Sequence, residues 1–232
     1  LAQVDSSIGG KNGINLKYGK NLIGTFYHPS EIIIDTSILK SLPIREMRSG
    51  YAEIVKHSLI NNKNFFRWLE KNHKSIFNLK RNILEIAIYK SIIIKLKYVN
   101  KDPYENLINK DSRAMLNFGH TIGHSLETFY NYKNTINHGE AISVGMIIEA
   151  KLSNRLGYLS SLEVNKIINH FKKVGLKTKD KNINNSKIYK ILSKDKKNIN
   201  NRINIILLKN IGESFFARNI EIKKLVKNLE NI

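Results

Sequence analysis

Six segments of this 232-residue chain, at 47–60, 65–70, 83–99, 116–130, 141–156 and 161–174, repeat apolar side chains at helical spacing. That periodicity commits most of the chain to a mainly α fold. What precedes it does not fit. Glu31-Ile-Ile-Ile-Asp35 reads as a short buried strand, yet nothing nearby offers it a partner. A lone strand leaves backbone donors and acceptors unpaired. Residues 1–43 therefore read as the C-terminal part of an α/β domain whose remainder lies upstream, which makes the chain a fragment. Ser41-Leu-Pro43 marks the break. Residues 44–232 read as a multi-helical domain with polar linkers at 61–64, 101–112 and 131–137, and Asn-rich loops at 181–185 and 198–201. A small late hairpin is expected from 202–208 and 214–218 around Gly212, and then an amphipathic helix at 220–229.

Composition narrows the chemistry. The chain has no cysteine, so any metal must sit on His, Asp or Glu. No apolar run approaches the roughly 18–20 residues of a membrane span, and no secretory signal is visible, so a cytoplasmic protein without a membrane partner is expected. The net charge of +20 is the footprint nucleic-acid binding would leave. The lysines, however, are scattered through Lys/Asn/Ile-rich text and no nucleic-acid motif accompanies them. The expected partner is a small molecule, not a nucleic acid.

Asn117-Phe-Gly-His-Thr-Ile-Gly-His124 and His138-Gly-Glu140 concentrate three of the seven histidines, and Glu53 in Gly50-Tyr-Ala-Glu-Ile-Val-Lys56 is the natural carboxylate to join them. Neutral imidazoles with a carboxylate suit a divalent metal with open positions for substrate. Local spacing alone makes His120 and His124, four apart on one helical face, both ligands. Thr121 stands where a metalloprotease would carry glutamate, which disfavours that reading. Gly119 and Gly123 inside a helix are costly and mark close backbone approach. Arg113, Asn117, His120 and His124 form one polar stripe along the 116–130 segment and its approach, hard to explain as core. Glu53 and Lys56, three apart, can face one site, although a salt-bridged surface pair would look the same. Lys95, with Lys90 and Lys97 nearby, reads by itself as a solvated face. His57 receives no role. Gly9, Gly10, Gly13 and Gly19, with Ser6, Ser7, Lys11, Lys20 and Asn21, read as a polar loop able to hold phosphate, or as a plain surface turn.

Five segments taken in order, Asp5-Ser-Ser-Ile-Gly-Gly-Lys11, Gly19-Lys-Asn-Leu-Ile-Gly24, Ala52-Glu-Ile-Val-Lys56, Asn117-Phe-Gly-His-Thr-Ile-Gly-His124 and His138-Gly-Glu140, closely resemble the 3-dehydroquinate synthase family of sugar phosphate cyclases. The likeness runs from residue 1 to about residue 218 at nearly the family's spacing. It implies a two-domain α/β plus α enzyme with the site in the cleft between domains, so that 1–43 is the tail of an NAD-binding domain. It implies Glu53, His120 and His138 as ligands of zinc or cobalt, which returns His124 to the substrate. Lys56, Lys95, Arg113, Asn117 and His124 would be catalytic, and Asp5, Lys11 and one of Lys196 and Lys197 would bind substrate. Lys11, Lys20, Asn21, Ile38, Leu39, Lys40 and Ser41 would lie near NAD. The implied activity is that of a carbon–oxygen lyase of the shikimate pathway. It converts the phosphorylated sugar acid 3-deoxy-arabino-heptulosonate 7-phosphate into 3-dehydroquinate and phosphate. The implied route is NAD-dependent transient oxidation, elimination, reduction and aldol closure, in a homodimer.

Two departures stand out. The strands and glycine-rich turn of the NAD domain are missing, and the segment 102–112 looks a few residues longer than the family's, a growth that surface loops accept at small entropic cost. The competing readings are a 2-deoxy-scyllo-inosose or valiolone synthase, and a non-catalytic remnant or basic binding protein. The first two act on substrates without the carboxylate, and the Arg113 region looks dehydroquinate-like. Retention of every matched position speaks against decay.

Overall fold

The computed structural model describes residues 1–16, 19–194 and 202–221. An antiparallel hairpin opens the chain, β1 (Lys11–Leu16) on β2 (Gly19–Phe26), with Lys11 opposite Phe26 and Ile14 opposite Ile23. The helices α1 (Ile44–Asn61), α2 (Lys63–Phe77), α3 (Arg81–Lys101), α4 (His120–Phe129), α5 (His138–Arg155), α6 (Ser161–Val174) and α7 (Ser186–Lys194) follow. A second hairpin pairs β3 (Arg202–Asn210) with β4 (Glu213–Glu221), Ile205 facing Ala217.

Two helices organise the rest because they are buried nearly all round. In α1 every residue from Ser49 to Ile60 is buried. α5 gives Ile142, Met146, Ile147 and Ala150 to a core shared with α1, α2, α3 and α6, and Ala141, Val144, Ile148 and Leu152 to a second core with α4, α7 and β3. A helix that divides two cores has little solvent face, so its apolar residues lie on several sides rather than in one stripe. Each of its buried Val, Leu, Ile and Met side chains is worth about 1.5–3 kcal/mol of burial.

Local signals set the boundaries. Asn62 Oδ1 accepts the Phe65 N–H at 2.9 Å, so one residue ends α1 and caps α2. Asn137 and Glu140 form a capping box that starts α5 at His138. The tip of the late hairpin docks on the end of α1, where the Gly212 N–H donates to the Leu59 carbonyl at 2.7 Å and Ser214 Oγ to the Ile60 carbonyl at 3.1 Å.

Several expectations need correction. The glycine-rich stretch is a loop only as far as Gly10: residues 11–16 and 19–26 are strands. Glu31-Ile-Ile-Ile-Asp35 is not a buried strand; among the described residues no strand pairs with it, Ile33 is 84 % exposed, and of the three isoleucines only Ile34 packs on the core. The 116–130 helix is broken. Arg113–Asn117 is a 3-10 turn capped by Ser112, Gly119 turns the chain at φ +82°, and α4 begins at His120. Arg113 and Asn117 therefore share no helical face with the histidines. The 65–70 helix extends to Phe77, and α7 was not expected. Of the 220–229 helix, Ile220 and Glu221 belong to β4 and the remainder lies outside the described residues. The 198–201 loop also lies outside them. Among the described residues no helix is long and apolar enough to cross a membrane.

Candidate metal centre and cationic cleft

α1 turns Glu53 and Lys56 inward, one helical turn apart, with side chains 0 % and 1 % exposed, and the two form an ion pair. They are not the surface pair the sequence also allowed. The first turn of α4 brings His120, and the first residue of α5 is His138. His138 Nε2 lies 3.2 Å from Glu53 Oε1 and His120 Nε2 3.8 Å from it, and one ligand atom from each of the three residues falls within 4.8 Å of the others.

The other ring nitrogens settle which atom is offered. His120 Nδ1 is 3.2 Å from the Phe118 carbonyl, and His138 Nδ1 is 3.0 Å from Glu127 Oε1. Both acceptors require an N–H at Nδ1, which leaves each Nε2 as the atom turned toward Glu53. Two oriented imidazoles and one carboxylate, without thiolate, are a donor set that fits a divalent ion such as zinc or cobalt. Charge favours it too. Burial would raise the Glu53 pKa, but Lys56 and the two histidines outweigh it and hold the carboxyl well below its ordinary value. Burial and Lys56 push His120 well down, toward the neutral ligand form. Burial would lower His138 as well, but Glu127 and Glu53 raise it to about 9, so without an ion the ring is a cation held between two carboxylates, and a divalent ion would take the place of its Nε2 proton.

Above this group opens a cleft of about 320 Å³, lined among others by Lys11, Lys56, Lys95, Arg113, Asn117 and His124. A second cavity, of about 490 Å³, shares Asn117, His120 and His124 with it and reaches β3. Lys95 is no solvated lysine: its side chain is 7 % exposed, and Nζ donates to Asp5 Oδ1 at 2.6 Å and to the Asp5 carbonyl. Burial lowers the Lys95 pKa against the pull of Asp5. Burial likewise lowers Arg113, whose Nη1 donates to the Pro103 carbonyl at 2.8 Å and whose guanidinium lies 5.9 Å from the Phe26 ring. Lys11 pairs with Glu105, which also accepts from Asn117 Nδ2 at 2.8 Å. His124 stands at the rim, with Nε2 4.0 Å from Glu127 Oε2.

The expected residues thus divide. Asp5, Lys11, Glu53, Lys56, Lys95, Arg113, Asn117, His120, His124 and His138 converge. Lys20 and Asn21 lie in β2, and their side chains are outside the described residues, as are Lys196 and Lys197 altogether. Ile38, Leu39, Lys40 and Ser41 form a 3-10 turn away from the cleft lining, where Leu39 packs on the core and Ile38 is 61 % exposed. Gly123 does mark close approach: a Cβ there would come 2.5 Å from Ile142 Cδ1. Sequence reasoning missed Glu127, although its place three residues after His124 on the same helix was a usable signal. It also missed His57, which is buried with Nδ1 2.6 Å from Ser91 Oγ and Nε2 3.9 Å from Asp5 Oδ1.

Comparison with known proteins agrees. A profile described as 3-dehydroquinate synthase C-terminal matches residues 50–198, and one described as 3-dehydroquinate synthase N-terminal matches residues 1–49. The 3-dehydroquinate synthase of Bartonella bacilliformis is 46% identical over 226 residues, covering 95% of this chain and 59% of the relative. That of Dictyoglomus thermophilum is 42% identical over 230 residues, covering 99% and 63%. The chain therefore spans about three-fifths of the length of such curated relatives. A solved 2-epi-5-epi-valiolone synthase from Streptomyces hygroscopicus, with NAD+ and Zn2+ bound, shares the fold at TM-score 0.89 and 22% identity, over 99% of this chain and 63% of that one. A 2-deoxy-scyllo-inosose synthase complexed with carbaglucose-6-phosphate, NAD+ and Co2+ matches at TM-score 0.85 and 28% identity, over 99% and 64%. With the profile match over most of its length and this identity to curated members, the chain belongs to the 3-dehydroquinate synthase family.

Proposed function

We propose that this chain supplies the metal- and substrate-holding part of a 3-dehydroquinate synthase, which converts 3-deoxy-arabino-heptulosonate 7-phosphate into 3-dehydroquinate and phosphate. The observation that carries the reading is the convergence of Glu53, His120 and His138 within 4.8 Å beneath a cleft walled by Lys11, Lys56, Lys95 and Arg113. A substrate bearing a carboxylate and a phosphate needs fixed cations on opposite sides, and charge-assisted hydrogen bonds are the strong ones. Arg113 is suited to grip a planar carboxylate or a phosphate through two donors, and the lysines act as point charges. A divalent ion held by Glu53, His120 and His138 would draw in substrate oxygens and acidify a hydroxyl.

The chain's own groups then have distinct tasks. Lys56, paired with Glu53, steadies negative charge on the substrate hydroxyl. Asn117 orients the substrate, and His124, at the rim, moves a proton at Nε2. Asp5 holds Lys95 in place. NAD belongs to this reading as the hydride carrier. Among the described residues, however, those expected near it do not gather in one pocket, so no hydride step is assigned to this chain. The division at residue 43, the homodimer and a cytoplasmic location are parts of the same proposal.

The test is binding by the full chain. Cobalt or zinc should bind at about one ion per chain, and a Glu53→Ala, His120→Ala, His138→Ala variant should lose it. With metal present, the sugar acid phosphate should bind at least tenfold more tightly than glucose 6-phosphate, which lacks the carboxylate. Absence of specific metal binding would overturn the metal assignment, and preference for glucose 6-phosphate would overturn the substrate assignment.

A further inference from the structure

α4 begins without a side chain to cap it. Its N-cap is Gly119, and the N–H groups of a first turn need acceptors from somewhere. Here the acceptor comes from another helix. Glu149 of α5 is 0 % exposed, and its Oε2 accepts the Gly119 N–H at 2.5 Å. The Thr121 and Ile122 N–H groups, with that of Gly119, draw the Glu149 pKa down against the effect of its burial. One turn earlier on α5, Gly145 meets Gly119 backbone to backbone: a Cβ on Gly145 would lie 2.0 Å from the Gly119 oxygen. In return, a Cβ on Gly119 would lie 2.6 Å from Met146 Cγ and 2.8 Å from the Ile142 oxygen. Gly145 and Glu149 thus grip the first turn of α4 between them.

A carboxyl sunk in a core is expensive unless its bonds are satisfied; burial holds the Glu149 pKa well above its ordinary value, and Oε1 has no hydrogen-bond partner among the described residues. Capping one short helix is a small return for that cost. The two helices it joins, however, each begin with one of the converging histidines, α4 with His120 and α5 with His138. We propose that Glu149 is a positioning residue that sets the distance between His120 and His138 by capping α4 from α5. The proposal rests on the metal reading above.

The experiment uses the full chain and three variants. Glu149→Met removes the acceptor and keeps the volume. Glu149→Gln keeps an oxygen in place. Leu69→Ala weakens the core at α2, away from the site. Cobalt binding is followed through its visible absorption, and hydrogen exchange at the Gly119, Thr121 and Ile122 amides is followed without metal. E149M should weaken cobalt at least tenfold, change the cobalt spectrum and speed exchange at those amides about tenfold. E149Q should stay near wild type in both. L69A should lower Tm and leave the cobalt spectrum and affinity alone. E149M with wild-type exchange, or L69A losing cobalt as E149M does, would overturn the proposal. A wild type that binds no cobalt would instead sink the metal reading, with exchange still deciding the cap.

Discussion

His138 presents Nε2, not Nδ1, to Glu53, because Glu127 Oε1 takes the Nδ1 proton at 3.0 Å. A carboxylate behind a ligating imidazole fixes both its tautomer and its rotation. Glu127→Ala should therefore weaken zinc about 10–100-fold and leave the helical content unchanged, as read by competition with a chromophoric chelator. An unaltered affinity would show that the Glu127 contact does not orient the ligand.

Asp5 and Lys95 make a pair of a different kind, a buried lysine balanced by a partner 90 positions away. Removing the acid strands the cation, which in buried pairs costs about 3–5 kcal/mol. Asp5→Ala should lower the unfolding free energy by roughly that amount, and adding Lys95→Met should restore part of it. The double-mutant cycle in denaturant measures the coupling. Additive losses would mean that the pair contributes nothing beyond its members.

Glu105 occupies Lys11 and Asn117 together, two groups proposed for the substrate, from the loop between α3 and Arg113. An anionic ligand has to compete with that carboxylate. Glu105→Gln should tighten binding of inorganic phosphate several-fold in low salt, with the gain shrinking as salt screens the cleft. Weaker phosphate binding in the variant would assign Glu105 the opposite role, that of holding Lys11 in position.

What the sequence could and could not reveal follows the range of each interaction. Helix α6 is legible to the residue, since Ser160 caps it and Gly175 ends it at φ +71°, both local signals. The break at Gly119 is not, because the apolar spacing of Leu116, Ile122 and Leu126 runs straight across it while contact with Gly145 decides the geometry. Lys95 looks solvated because its counter-charge is remote in sequence. The local rule of four-residue spacing selects His120 and His124 as a pair, yet the residues that converge with His120 are Glu53 of α1 and His138 at the start of α5, and no local pattern contains them. The Glu31–Asp35 run has strand-like composition without a strand to pair with, and composition alone does not make a sheet.

Away from the cleft, His170 lies on the buried face of α6, with Nε2 3.0 Å from Tyr51 Oη and its ring edge-on to Phe66 and His73. Burial, with smaller contributions from His73 and Lys173, lowers its pKa from 6.5 to about 4. The unfolded chain therefore takes up a proton that the folded chain refuses between these values. The stability owed to the neutral ring is complete above pH 6.5, falls as the pH drops through that window, and is fully lost below about 4. At about 1.4 kcal/mol per unit the loss comes to about 3–4 kcal/mol. His170→Gln keeps an acceptor for Tyr51 and removes the titration. The difference in unfolding free energy between wild type and variant should then shrink steadily from pH 6.5 to 4, because His57, buried and also held low, titrates equally in both and cancels. Denaturant unfolding at several pH values measures it, and a difference independent of pH would show that His170 is as easily protonated folded as unfolded.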